Sequence, residues 1–219
     1  MSAVLIGQLD SPYVRRVAVS AMLLGIEFEQ RPWSVGADQA KLRQVNPLGR
    51  VPAWIDGDGE VLVDSAQIVE HLDDLAGYGA TLMPGEMRER FVVRQWLGLL
   101  TGVLDKGIAL VTERIFQPPH LHGSPWALRC YEQLLSGLAE VERLCVERSE
   151  QEWLVAHRLS QADVTLACFL TYLRDALPLD LTAMPALAAR LARIEALPAL
   201  RDTYKPFDAP VPTTESPPA

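Results

Sequence analysis

The chain is short of cysteine. Its 219 residues hold three, Cys130, Cys145 and Cys168, all in the second half and none in a C-x-x-C spacing. Each sits in an apolar stretch patterned like a helix, the usual setting of a buried thiol rather than of a metal ligand or redox pair. Any thiol chemistry in the first half must therefore use a sulfur brought by a ligand. Basic excess is missing as well. Lys and Arg number 20 against 28 Asp and Glu, a net charge of −8. That excludes the basic stripe of a general nucleic-acid binder and offers nothing to an anionic membrane surface. No apolar run approaches the ~20 residues that span a bilayer. Gln8, Asp10 and Arg15 interrupt the first apolar stretch too early for a secretory signal, so a cytoplasmic protein is expected. The histidines His71, His120, His122 and His157 have neither triad nor metal company, and His120 and His122 read as a surface loop beside two prolines. No metal site is expected.

What is present is an apolar share of 49%, enough for a sizeable core in one large domain or two small ones. Ala3–Ile6 reads as a short buried strand ending at Gly7. Ser11-Pro12 reads as a helix start, since serine is a good N-cap and proline suits the first helical position. Val14, Val17, Ala18 and Ala21 follow at helical spacing until Gly25. Phe28–Trp33 forms a second strand, and Asp38–Gln44 a short helix or turn. Ala53–Ile55 and Val61–Val63 flank Asp56-Gly57-Asp58-Gly59, a strong hairpin signal. Ser65–Leu75 is a helix with Ile68, Val69 and Leu72 on one face.

This order, β-α-β-α-β-β-α, combines a crossover helix with a hairpin, so the sheet should be part parallel and part antiparallel. It is the thioredoxin-like arrangement. The glycine-rich stretch 77–85 (GYGATLMPG) reads as a linker. Beyond it the pattern is helical over Arg88–Leu104, Trp126–Arg148, Ser160–Ala176, Pro185–Ala196 and a shorter helix from Pro198. Ser160–Ala176 is apolar nearly all round and should be a central buried helix. The fold class is thus an α+β thioredoxin-like domain over residues 1–77, then an all-α domain over 86–207. Residues 208–219, with four prolines, should be a disordered tail.

Three short motifs have an ordinary reading on their own. Ser11 is an N-cap. Val51-Pro52 starts an edge strand through a trans bond. Asp64 or Ser65 caps the next helix. A fourth, Ser160-Gln161-Ala162-Asp163, is a capping box with Asp at its fourth position, a folding device without chemistry.

Taken together, S-P-Y-V-R-R at 11–16, N-P-x-G-x-V-P at 46–52, D-S at 64–65 and S-x-x-D at 160–163 resemble the cytosolic glutathione S-transferase superfamily. The resemblance covers the chain except its tail and is nearest to serine-type bacterial members. It implies glutathione as co-substrate, with no other cofactor, and a hydrophobic electrophile as its partner in reaction. It also implies a homodimer.

Under that resemblance Ser11 is the catalytic residue, which stabilises the glutathione thiolate without being the nucleophile itself. A free thiol has a pKa of ~8.5. Lowering it by ~2 units takes ~2.7 kcal/mol, within reach of a charged hydrogen bond and a helix N-terminus. Tyr13 lies inside the helix and is a weaker candidate for that role. Val51 and a cis Pro52 would present main-chain groups to the ligand's cysteinyl backbone. Asp64 and Ser65 would hold the γ-glutamyl end, with Arg50, Arg16 and Lys41 as candidates for the glycyl carboxylate. The electrophile would lie over Leu9, Tyr13, Phe116 and Trp126, against the helix Arg88–Ile108. Two other classes stay open. One is a glutathione-dependent isomerase, dehalogenase or ether-cleaving enzyme. The other is a non-enzymatic binding or regulatory protein on the same fold.

Overall fold

The structure, a computed structural model, describes residues 2–77, 81–155, 157–177 and 179–209. Apart from Asp208 and Ala209, the expected tail lies outside them, as does the middle of the expected linker. The first half runs β1 (Ala3–Ile6), α1 (Pro12–Leu23), β2 (Phe28–Arg31), α2 (Gln39–Val45), β3 (Ala53–Ile55), β4 (Val61–Val63) and α3 (Ser65–Ala76). The sheet order is β2-β1-β3-β4. β1 pairs in parallel with β2 and antiparallel with β3, and β3 with β4 forms the hairpin. Side chains alternate across β1 as a strand requires. Leu5 packs with Val14, Val17 and Ala21 of α1 and Ile68 and Leu72 of α3. Val4 and Ile6 face the other way, toward Leu42 of α2.

The second half is α4 (Met87–Phe116), α5 (Pro125–Glu147), α6 (Gln161–Ala176), α7 (Pro185–Glu195) and α8 (Pro198–Asp202). Among the described residues no helix is long and apolar enough to cross a membrane. Every residue of α6 is buried except Arg174 and Asp175. Its start is closed by Asp163, whose carboxylate accepts from the Ser160 N–H at 3.0 Å, the Ser160 hydroxyl at 2.8 Å and the Leu154 N–H at 2.9 Å. In this box the Ser160 hydroxyl donates to the carboxylate.

α4 runs well past the expected Leu104. Gly107 is a poor helix former, yet a Cβ there would overlap Leu173 of α6. The glycine is what lets the two helices approach.

α1 lies between α3 and α6 and joins the two halves. Arg15 Nη2 donates to the Leu200 carbonyl at 2.7 Å. The Ser20 hydroxyl donates to Gln161 Oε1 at 3.0 Å. Tyr13 Oη donates to Asp105 Oδ1 of α4 at 3.0 Å.

Candidate active site

Register gathers the motifs. Ile6 pairs with Ala53, and Ala53 with Val63. The next residues outward, Gly7, Pro52 and Asp64, therefore stand side by side at one end of the sheet. That is the carboxyl end of β1, where open α/β sheets place their ligands. Gly7 has φ +130°, and a Cβ on it would sit 2.5 Å from Val14 Cγ2 and 2.9 Å from Val51 Cβ. Only glycine brings β1 this close to the approach to β3. The Val51–Pro52 peptide is cis, as the resemblance implies.

Ser11 is the N-cap of α1. Its Oγ accepts from the Val14 N–H across 3.5 Å, a long bond. Pro12 follows at the first helical position, as read from sequence. Ser11 opens onto a cavity of about 530 Å³ between the two halves. Tyr13, Arg50 and Val51 line it from the sheet side, and Phe116 from α4.

Two of the expected electrophile contacts are elsewhere. Leu9 packs against the core formed by the sheet, α1 and α3. Trp126, in the first turn of α5, is 58% exposed and carries Lys106 Nζ 5.4 Å above its ring. The α4 wall is also further along than expected: Ile108, Val111, Thr112 and Ile115 face the cavity. Their i, i+3, i+4, i+7 spacing is a helical face that sequence reading could have found. The loop Trp33–Ala37, Tyr172 of α6 and Phe207–Ala209 complete the wall. No local pattern marks those segments, because only tertiary packing brings them there.

Pro52, Asp64 and Ser65 lie outside this cavity, at the adjacent end of the hairpin. Asp64 holds φ +70°, which is strained for a residue with a Cβ. Its Oδ1 accepts from the Ala66 N–H at 2.7 Å and caps α3. Ser65 is buried, and its Oγ accepts from Arg16 Nε at 3.1 Å and Nη2 at 2.8 Å. Both Arg16 bonds use the serine's lone pairs, so the hydroxyl hydrogen stays available to donate. Arg16 is itself buried beneath the Phe169 ring, 5.1 Å from its centre. Burial lowers its pKa, and the charge of Asp64 acts the other way. Arg16 thus supports Ser65 from behind. Lys41 is exposed, paired with Asp38 at 2.7 Å, and off the cavity wall.

Asp10, beside Ser11, also lines the cavity, and Asp208 donates its N–H to Asp10 Oδ2 at 3.3 Å. Burial raises the Asp10 pKa, and the Asp208 charge adds to that rise. The three cysteines are buried in α5 and α6. Burial pushes the Cys145 thiol up to about 11 and Cys168 up to about 12, so neither is poised as a thiolate.

Two sequence profiles match the chain, the glutathione S-transferase N-terminal domain over residues 5–81 and the C-terminal domain over 127–204. The chain belongs to the glutathione S-transferase superfamily. A glutathione S-transferase from Methylobacillus flagellatus, solved with glutathione bound, superposes with a TM-score of 0.84 at 28% identity, covering 97% of this chain and 100% of that one. YibF, an uncharacterized GST-like protein of Escherichia coli, is 29% identical over 172 residues, 77% of this chain and 81% of its own. Maleylacetoacetate isomerase of Pseudomonas aeruginosa is 27% identical over 206 residues, 86% of this chain and 89% of its own. In this transferase fold, the sheet end just described and the cavity beside it are the two parts of the candidate site.

Proposed function

We propose that this chain is a serine-type glutathione transferase that binds glutathione at the carboxyl end of β1 and directs its thiolate at a hydrophobic electrophile in the cavity above. The observation that carries the reading is the position of Ser11: a helix N-cap hydroxyl that opens onto a cavity whose far wall belongs to the helical domain. The long bond from Val14 leaves this hydroxyl free to turn its hydrogen toward a sulfur anion. The N-terminus of α1 adds its positive partial charge. The thiol proton leaves to water, and the thiolate, held by hydrogen bond and dipole, attacks.

Ser65 suits the α-carboxylate of the γ-glutamyl end. Its hydroxyl donates, Arg16 supplies positive charge behind it, and it stands at the N-terminus of α3. Asp64 suits the ammonium of the same end, Arg50 the glycyl carboxylate, and Val51 the cysteinyl backbone. A homodimer would cover the exposed Met87 and Phe91 at the start of α4.

The test is calorimetric titration of the chain with glutathione, followed by a conjugation screen across aryl halides, enones and epoxides. Saturable binding with conjugation of at least one class is expected. Absence of glutathione binding would overturn the reading. Binding with isomerisation or reductive cleavage in place of conjugation would move the chain to another glutathione-dependent class.

A further inference from the structure

Three tyrosines lie in or near the cleft between the halves. Tyr13 commits its hydroxyl to Asp105, and Tyr204 donates to Asp175 at 3.0 Å. The third, Tyr172, lies on the otherwise closely packed α6 and is only 8% exposed. Its hydroxyl has no hydrogen-bond partner among the described residues. Nor is it one of the polar atoms sealed away without one, which are Arg15 Nε and Trp54 Nε1. Tyr172 is instead part of the cavity wall that Ser11 shares.

The ring is held in place. Phe207 meets it edge-on, centroids 5.3 Å apart at 86°. The hydroxyl reaches the cavity, where water or a ligand is the partner left to it, and a ligand acceptor can take the place of water without moving the ring. A fixed, unpaired phenol on the wall of a reaction cavity thus points to an acceptor on whatever fills it.

We propose that Tyr172 is a further catalytic residue, whose hydroxyl donates to an oxygen conjugated with the reacting carbon of the second substrate. The substrate class is then a neutral, apolar electrophile with such an oxygen, an α,β-unsaturated ketone above all. This rests on the glutathione transferase reading. The step balances without any other reactant. The thiolate lone pair forms the S–C bond at the β-carbon, and the π pair moves through the α-carbon onto the carbonyl oxygen. The Tyr172 O–H meets the charge there, and water then protonates the α-carbon.

Burial raises the phenol pKa, so Tyr172 stays a donor through the neutral range. Asp10 and Arg114 are the charged groups felt at the hydroxyl, and they act with opposite sign. Asp10 and Asp208 line the same cavity as Tyr172, and its lining cation, Arg50, is assigned to the glycyl carboxylate, which leaves the wall unfavourable for a carboxylated electrophile.

The experiment compares wild type with Tyr172→Phe, which keeps the ring. Both proteins are first titrated with glutathione and then assayed with 4-phenylbut-3-en-2-one and with benzyl chloride, which has no conjugated oxygen. The ratio of kcat/KM for the enone to that for the halide should fall ten-fold or more in the variant, at unchanged glutathione affinity. An unchanged ratio overturns the proposal, as does a wild type that binds glutathione but does not turn over the enone.

A second measurement needs no variant. Wild type should bind S-(3-oxo-1-phenylbutyl)glutathione at least ten-fold tighter than S-(1-phenylbutyl)glutathione, and equal affinities overturn the assignment. A wild type that binds no glutathione at all overturns the transferase reading beneath it, an outcome separate from the others.

Discussion

Ser11 is both a helix cap and the proposed thiolate donor, and one substitution separates the two. Ser11→Ala should lower conjugation at pH 6.5 by about ten-fold or more, through loss of a hydrogen bond to a charged sulfur. The cap contributes less, because its 3.5 Å bond is long, so stability should fall by no more than about 1 kcal/mol. Initial rates set against a thermal melt check this, and an unchanged rate would leave Ser11 as a cap alone. Ser65 works at the other end of glutathione. Ser65→Ala should raise the glutathione KM more than it lowers kcat, the mark of lost uniform binding. It also strips Arg16 of its hydrogen-bond acceptor, so a melt must accompany the kinetics. A normal KM with a lower Tm would assign the serine to structure. The cysteines make the complementary case. Burial keeps all three out of the chemistry, and it also raises the pKa of Cys145 and Cys168. A Cys130/Cys145/Cys168 triple serine variant should therefore keep conjugating, allowing for stability lost to buried hydroxyls. A glutathionylated intermediate seen by mass spectrometry would instead indicate a cysteine mechanism.

Among the elements, α6 depends most on a single side chain. Three hydrogen bonds converge on the buried Asp163 carboxylate. Asp163→Ala should cost at least about 1 kcal/mol, since it removes the cap and leaves the Leu154 N–H unpaired. Denaturant melts measure this, and the kinetics of the folded fraction should not move. This element was legible in the sequence because its signals are local: a Ser-x-x-Asp start followed by an apolar run. The β3–β4 hairpin was legible for the same reason, with Asp-Gly turn chemistry between two short apolar runs. α4 was read short, to Leu104 or Ile108, and runs on to Phe116, with Gly107 accommodated where Leu173 packs against it. The motif residues at the sheet end were singled out by the resemblance alone, and the strand register then sets Gly7, Pro52 and Asp64 side by side. The cavity wall was only partly legible. Tyr13 and Phe116 were placed on it, but Leu9 and Trp126 were not distinguishable from them by hydrophobicity, since nothing local says which way a loop or first-turn side chain will face. The contribution of Phe207 depends on a chain end folding back across more than a hundred residues of sequence, beyond any local pattern.

At the scale of the whole molecule, α1 belongs to both halves. One side packs on the sheet with α3, and the other is held by Leu200, Gln161 and Phe169. A fragment of residues 1–85 would strip Arg15 of the Leu200 carbonyl, Ser20 of Gln161 and Arg16 of the Phe169 ring, and would uncover Val19, which packs into the helical core. Expressed alone, it should fail to give the dispersed NMR spectrum of a folded domain, although its strands are complete. A well-folded fragment would show the contacts to be dispensable. The same arrangement bears on how such chains can be recombined. A crossover in the linker, the obvious cut between the halves, would pair the first helix of one parent with the central helix of another. Descendants spliced there would inherit a mismatched seam, with Arg15 meeting a strange carbonyl and Arg16 a strange ring. Viable hybrids should come from parents already alike along α1 and α6, however much they differ elsewhere.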